Sequence, residues 1–276
     1  MKSEKQTTSP NKRNRDAIET SFSSYHGSSQ IDRGINLIMN LRSITSALVR
    51  DLQSLSFDPP VAYAYNPLVY ARAPFNDYID RYGQGTKEVI LVGMNPGPWG
   101  MVQTGIPFGE IAHVHDWMGI EGRVKTPDNM HPKRPVQGFE CARSEVSGRR
   151  LWGWAEDRFK TPKVFFERFF VLNYCPLAFF DQNNKNVTPD KLKAADRARL
   201  FVPCNKALAN AVKVFQPQVV VGIGNFALTR VEESCRDLPV TTGRITHPSP
   251  ANPKANRGWA PLIEDELREL GIDLPQ

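Results

Sequence analysis

Cysteine is scarce in this chain. The four among 276 residues, Cys141, Cys175, Cys204 and Cys235, are widely separated and form no C-x-x-C pair. That spacing lacks the ligand pattern of a zinc ribbon or an iron–sulfur cluster. Long apolar runs are missing too: the richest stretch, Val164 to Phe180, is broken by Glu167, Arg168 and Asn173. A membrane helix needs ~20 uncharged apolar residues, so no membrane partner is expected. The N-terminus opens with Lys2, Glu4 and Lys5 instead of an apolar segment, and no secretory signal is expected. On that reading the cysteines are reduced, buried thiols. Internal repeats are absent as well.

What is present is an ordinary globular composition, with 40% hydrophobic and 23% charged residues. It excludes a wholly disordered or fibrous chain. Lys and Arg number 35 against 29 Asp and Glu, a net +6, which permits an anionic partner without requiring one. Residues 1–30, rich in Ser, Asn, Lys and Arg, read as a disordered basic tail. The run Asn11-Lys12-Arg13-Asn14-Arg15 fits a nuclear-import or phosphate-touching patch, and fits a merely solvated tail better.

Apolar residues recur at helical spacing from Ile35 to Leu55, predicting an amphipathic helix ended by Asp58-Pro59-Pro60. Four strand signals follow, at Glu88 to Val92, Phe166 to Leu172, Gln218 to Val221 and Val240 to Thr246. The first three are near-continuous apolar runs, as in strands covered on both faces; the more polar fourth suits an edge. Thr188-Pro189-Asp190 opens a helical region that Pro203 is expected to interrupt before it resumes to Phe215. Further helices are predicted from Phe226 to Arg236 and from Trp259 to Leu270, the last capped by Gly271. The alternation predicts a single α/β domain over residues 31–276, with a central four-stranded, mostly parallel sheet flanked by helices. Pro96 to Thr161 shows little periodicity and reads as a long functional insertion.

Ligands of open parallel sheets bind outside the carboxyl ends of the strands. Those ends continue as Gly93-Met94-Asn95-Pro96, Asn173-Tyr174-Cys175-Pro176, Gly222-Ile223-Gly224-Asn225 and His247-Pro248-Ser249-Pro250. Asn95, Asn173 and His247 therefore converge on one rim, with no Asp or Glu among these strand ends. Such a site has no obvious carboxylate base, metal cage or nucleophile, so its substrate must bring a good leaving group. The protein would position water and stabilise developing charge. An asparagine amide also suits reading a nucleobase edge.

The string Gly93-Met94-Asn95-Pro96-Gly97-Pro98-Trp99-Gly100-Met101-Val102-Gln103-Thr104-Gly105-Ile106-Pro107-Phe108-Gly109-Glu110 resembles the first motif of the single-strand-selective monofunctional uracil-DNA glycosylases. His247-Pro248-Ser249-Pro250-Ala251-Asn252-Pro253, with Ala255-Asn256-Arg257-Gly258-Trp259, resembles their second. His131 to Pro135, Ser144 to Gly148 and Asn173 to Leu177 are similar as well. The resemblance runs from about Pro59 to Leu274 and implies a uracil-DNA glycosylase-like three-layer fold. It implies an enzyme, needing no cofactor or metal, that flips uracil or 5-modified uracils such as 5-hydroxymethyluracil out of single- or double-stranded DNA. Hydrolysis of the N-glycosidic bond would leave an abasic site for downstream repair enzymes. On the same basis Asn95 positions water and His247 donates to the uracil carbonyl. Asn173 reads the base edge, Phe108 stacks on it, Met94 lends backbone, and Gly97 and Met101 shape the space near the 5-position. A monomer working on DNA in the nucleus is the corresponding expectation.

Two positions depart from the family pattern: Trp99 stands for Phe, and Ala251 for an arginine that pushes into the base stack. A methyl group cannot fill that space, so weak strand wedging is expected, with Lys254 or Arg257 compensating in part. Ser249, Ala251, Asn252, Lys254 and Arg257 are the DNA-facing candidates of the second motif. Lys185, Lys191, Lys193 and Arg197, near the helix start at Thr188, are further phosphate candidates and equally a solvated face; Lys133, Arg134, Arg149 and Arg150 are weaker ones. If phosphates are contacted, affinity should fall as salt rises.

Blander readings stand beside these. A lone histidine is more often structural, an asparagine often only accommodates a turn, and a phenylalanine usually belongs to the core. His113, His115 and Asp116 lack a fourth ligand, and no metal is expected there. Gly222-Ile223-Gly224-Asn225-Phe226-Ala227 imitates a dinucleotide fingerprint but lacks the acid ~20 residues on. It reads instead as a tight strand-to-helix turn. Two rival functions therefore remain at this level, a non-catalytic single-strand binder and a nicotinamide-linked oxidoreductase.

Overall fold

The computed structural model describes residues 39–275; the predicted tail over 1–30, and Ile35 and Ile38 of the first predicted helix, lie outside them. Helix α1 (Leu41–Gln53) starts at Asn40, whose side chain accepts from the Ser43 N–H in a capping box, and buries Leu41, Ile44, Leu48 and Leu52. It stops at Ser54, before the Pro-Pro pair expected to end it. A short strand β1 (Tyr63–Tyr65), a helical turn α2 (Pro67–Tyr70) and helix α3 (Arg72–Tyr82) lead into strand β2 (Val89–Gly93), buried along its whole length.

The Pro96 to Thr161 segment is more regular than its sequence indicated. It holds the turn α4 (Met101–Thr104) and a fourteen-residue helix, α5 (Val146–Phe159). Gly148 and Gly153 weaken the helical signature, yet Leu151, Trp152, Trp154, Ala155 and Phe159 are all buried. Next comes α6 (Pro162–Arg168), capped by Thr161 with proline at its first position. Phe166 to Arg168 are therefore helical, and strand β3 (Phe169–Asn173) starts later than its apolar run predicted. Strands β4 (Ala178–Phe180) and β5 (Asn186–Val187) join β1 in a small antiparallel sheet that sequence reasoning did not anticipate. Strands of two or three residues are too short to print a two-residue period.

Helix α7 (Ala194–Phe215) runs through Pro203 without a break, contrary to expectation. A proline inside a helix costs about 3 kcal/mol or more, but Leu200, Cys204, Leu208, Ala211, Val212 and Phe215 stay buried along one face across it. That apolar burial outweighs the lost hydrogen bond. Strand β6 (Val219–Ile223), helix α8 (Asn225–Ser234), edge strand β7 (Thr241–Ile245), the turn α9 (Pro253–Asn256) and helix α10 (Trp259–Glu269) complete the chain.

The central sheet has the order β3-β2-β6-β7, all parallel. From β2 the chain crosses to β3 on one side; from β6 it crosses to β7 on the other. The two connections leave a crevice at the carboxyl ends of β2 and β6, the switch point where doubly wound sheets bind ligands. Gly222 is explained without any dinucleotide, because a Cβ there would lie 2.3 Å from the Leu228 N of α8.

Candidate active site

The crevice is built on Gly93. Its Cα pairs with that of Asn173 across β2 and β3, and the two chains stay joined beyond the sheet. Tyr174 donates its N–H to Gly93 O (2.9 Å), and Cys175 donates its own to Met94 O (2.9 Å). A Cβ on Gly93 would stand 2.3 Å from Asn173 Oδ1 and 2.5 Å from Phe108 Cε2. The amide and the ring thus meet directly above this glycine.

Phe108 is delivered there by a left-handed backbone, φ 54°, uncommon for an aromatic residue. Its carbonyl accepts from Glu110 N–H at 2.6 Å and presses on α5 at Gly148, where a Cβ would come within 2.0 Å of it. Glu110 is in turn fixed by Ser144 Oγ (2.8 Å) and by His113 Nδ1 (2.7 Å). His113 is therefore spent on a carboxylate. Among the described residues no cluster of three or more potential ligands could hold a metal ion.

His247 follows β7 and packs on Gly224, whose φ of 89° favours glycine. Its ring centroid is 6.1 Å from that of Phe108. Nδ1 accepts the Ser249 N–H at 3.0 Å, so the neutral ring carries its proton on Nε2. Burial lowers the pKa to about 4, which keeps the imidazole uncharged near neutrality. The site thus offers a neutral N–H donor.

The two amides are oriented in complementary ways. Asn95 Nδ2 donates to Leu177 O (3.2 Å), and Oδ1 has no hydrogen-bond partner among the described residues. Asn173 Nδ2 reaches Met101 Sδ (3.1 Å), while its Oδ1 is buried with no hydrogen-bond partner among the described residues. A buried unsatisfied acceptor costs ~1–3 kcal/mol, and a ligand N–H would remove that cost. Beside Asn173 and Met101 lies a cavity of ≈ 60 Å³, bounded farther out by Leu41, Ile44 and Leu48 of α1.

Comparison with known proteins decides the family. The family model described as "Uracil DNA glycosylase superfamily" matches residues 81–266. The single-strand selective monofunctional uracil-DNA glycosylase of Rattus norvegicus is 46% identical over 224 residues, covering 80% of this chain and 81% of that one. Its Bos taurus counterpart is 44% identical, covering 80% and 82%. The chain belongs to the single-strand-selective monofunctional uracil-DNA glycosylase family. In fold it is similar to the crystal structure of wild-type Pedobacter heparinus SMUG2, with a TM-score of 0.59 and 16% identity over 83% of this chain and 97% of that one.

Within this family frame the rim divides. Ser249 and Asn252 are half-buried beside His247, with Asn252 Nδ2 donating to His247 O (3.2 Å). Ala251, Lys254 and Arg257 are exposed on the same loop. The other basic group is largely tied up elsewhere. Lys193 pairs with Asp58 (3.2 Å) and Lys191 with Asp190 (3.4 Å), while Arg197 Nη1 donates to Asp190 O (3.0 Å) and Leu192 O (3.3 Å). Lys185 is exposed. No hydrogen bond among the described residues joins these four to Asn95, Phe108, Asn173 or His247.

One group was given no role by the sequence, although it lies in the family-like stretch Ser144 to Gly148. Glu145 lies against the turn that follows Asn95: a Cβ on Gly97 would be 2.5 Å from its Oε2, and it accepts Trp99 N–H at 3.2 Å. Burial raises this carboxyl above the usual carboxylate range. The rim is therefore not wholly free of acids, as its four strand ends had implied. Fifty residues separate Glu145 from Asn95, and no local pattern links them. Trp99 meanwhile lies under two guanidinium groups, Arg143 at 4.3 Å and Arg134 at 5.1 Å from its ring.

Proposed function

We propose that this glycosylase hydrolyses the N-glycosidic bond of uracil flipped out of DNA, single-stranded DNA foremost. The observation that carries the reading is the buried, unpartnered Asn173 Oδ1 over Gly93. Uracil offers an N3–H to such an acceptor and an O4 to the neighbouring amide donor, and Phe108 supplies a face for the ring to stack on. By family resemblance Met94, Gly97 and Met101 would line the space around the base. Family membership supports the same substrate.

The chemistry follows from what the site can and cannot do. As the C1′–N1 bond breaks, its electron pair leaves with the base and spreads onto O2. The Nε2–H of neutral His247 stabilises that charge by hydrogen bonding and transfers no proton. Asn95 Oδ1 holds a water against C1′. The water oxygen bonds to C1′, and the proton it sheds passes to solvent or to the departing base. An abasic deoxyribose and free uracil result, with the backbone uncut. Uracils carrying a small 5-substituent, 5-hydroxymethyluracil among them, are accepted as further substrates. The enzyme acts as a monomer in the nucleus and hands its abasic product to downstream repair enzymes.

The test is to incubate single- and double-stranded oligonucleotides containing one uracil with the protein and then cleave abasic sites with hot alkali. Strand scission at the uracil, faster on the single strand, is expected. An uncut strand that nevertheless binds the protein would leave a binding module in place of an enzyme.

A further inference from the structure

The loop from His247 to Asn256 carries the neutral donor at its start and the exposed Ala251 at its tip. Much of its hydrogen bonding is internal. Ser249 N–H reaches His247 Nδ1, Asn252 Nδ2 reaches His247 O, and Asn256 Nδ2 reaches Pro250 O at 2.9 Å. Among the described residues, one side chain from a distant element enters this network. Arg150, on α5, donates through Nη1 to Pro248 O (3.0 Å) and Ser249 O (3.4 Å), and through Nη2 to Asn256 Oδ1 (2.9 Å).

All three acceptors are neutral, and they belong to the two ends of the loop. Only a loop already folded in this shape brings them together. A guanidinium holds its donors in one rigid plane and spans both ends at once; a lysine ammonium presents a single point of contact. Arg150, a weaker phosphate candidate by sequence, uses both Nη1 and Nη2 on the loop.

We infer that Arg150 is a positioning residue: it latches the 247–256 loop to α5 and so fixes the direction of the His247 ring. The carbonyls it holds belong to the two residues after His247, and the second of those, Ser249, also orients the imidazole through its N–H. Besides Arg150, the ties to the body of the protein among the described residues are Trp259 Nε1 donating to Thr246 O (2.7 Å), Glu266 accepting from Thr246 N–H and Oγ1–H, the packing of His247 on Gly224, and the burial of Pro248 and Ala255. None of these joins the loop's two ends to each other, as Arg150 does through Pro248 O, Ser249 O and Asn256 Oδ1. The kinetic consequence rests on the glycosylase reading above; the latch itself does not.

Two measurements on the full chain separate those parts. Lys254 and Arg257 are tryptic sites in or next to the loop, and cleavage there reports its opening regardless of activity. Arg150→Ala should speed that cleavage about tenfold while the melting temperature moves little, because the loop is peripheral to the core. With enzyme saturating over a single-stranded uracil oligonucleotide, the single-turnover rate should fall by about tenfold or more. Affinity for an oligonucleotide lacking uracil, and its salt dependence, should hold. Methylguanidinium should restore part of the Arg150→Ala rate without affecting wild type, and Arg150→Lys should stay slow. Adding Asn256→Ala to Arg150→Ala should cost less than the sum of the two changes, since they share one contact.

Unchanged tryptic cleavage in Arg150→Ala would overturn the latch, whether or not the protein excises uracil. Faster cleavage with an undiminished saturated rate would overturn the positioning of His247. A salt slope reduced by about one, again at full saturated rate, would make Arg150 a phosphate contact instead. Failure of wild type to release base would strike the proposed reaction and leave the proteolysis result standing.

Discussion

Replacing Gly93 by alanine tests the pocket with a single methyl group. The added Cβ would stand 2.3 Å from Asn173 Oδ1, 2.5 Å from Phe108 Cε2 and 2.9 Å from Phe108 Cζ. Comfortable contacts between heavy atoms begin near ~3.5 Å, so the amide and the ring must each retreat by roughly 1 Å. A misplacement of that size costs about 10²-fold in rate when it falls on groups that orient the substrate. Stability should suffer far less. Overpacking costs about 1–3 kcal/mol, while alanine in place of glycine in a strand returns roughly 0.5–1 kcal/mol of backbone entropy. A net loss of about 1–2 kcal/mol lowers the melting temperature by only a few degrees in a chain of this size. Gly153→Ala is the matched control. Its Cβ would meet nothing nearer than His113 Nε2 at 3.6 Å, and on a helix it should stabilise slightly at full activity. Base release from single-stranded uracil DNA and thermal unfolding, measured side by side, decide the matter. A folded Gly93→Ala protein that turns over within a few-fold of wild type would show that Asn173 and Phe108 do not form the base platform.

The other expectations concern the reaction, its pH dependence and the loop tip. Asn95→Ala and His247→Ala should each lower single-turnover excision by about 10²-fold or more with little change in melting temperature; near-wild-type rates in both would remove the roles assigned to them. Because burial holds His247 at a pKa of about 4, well below the ordinary histidine value, its neutral form persists through mildly acidic solution. The rate should thus stay flat from pH 8 to 5, and the stability tied to the neutral ring, present above the ordinary value of ~6.5, should be lost as pH falls through 4. An acid limb centred near 6.5 would contradict the neutral-donor assignment. Gly148→Ala, whose Cβ would lie 2.0 Å from Phe108 O, should displace Phe108 and raise KM for uracil DNA more than it destabilises the fold, as parallel activity and melting measurements would reveal. Ala251→Arg should raise excision from duplex more than from single strands; equal gains on both would refute wedging at that tip.

The parallel sheet, its rim and the family were legible in the sequence because their signals are local. Val89 to Val92 and Val219 to Val221 announce doubly covered strands as unbroken apolar runs, and the residues just beyond each strand end must lie at the sheet's carboxyl edge. Asn95, Asn173 and His247 could be named on that ground alone. What tertiary structure decided is everything that depends on contacts far apart along the chain. Phe108 fits its left-handed turn because Gly148, on a helix whose glycines blur its period, leaves room for its carbonyl, and Glu145 binds Trp99 in a turn 46 residues earlier. Arg150 reads as one more surface cation until the loop's carbonyls close around it. Pro203 stays inside a helix because a buried face outweighs one lost hydrogen bond. Local propensity selects the elements; the protonation state of His247 and the direction of each amide come only from the burial and hydrogen bonds that packing creates.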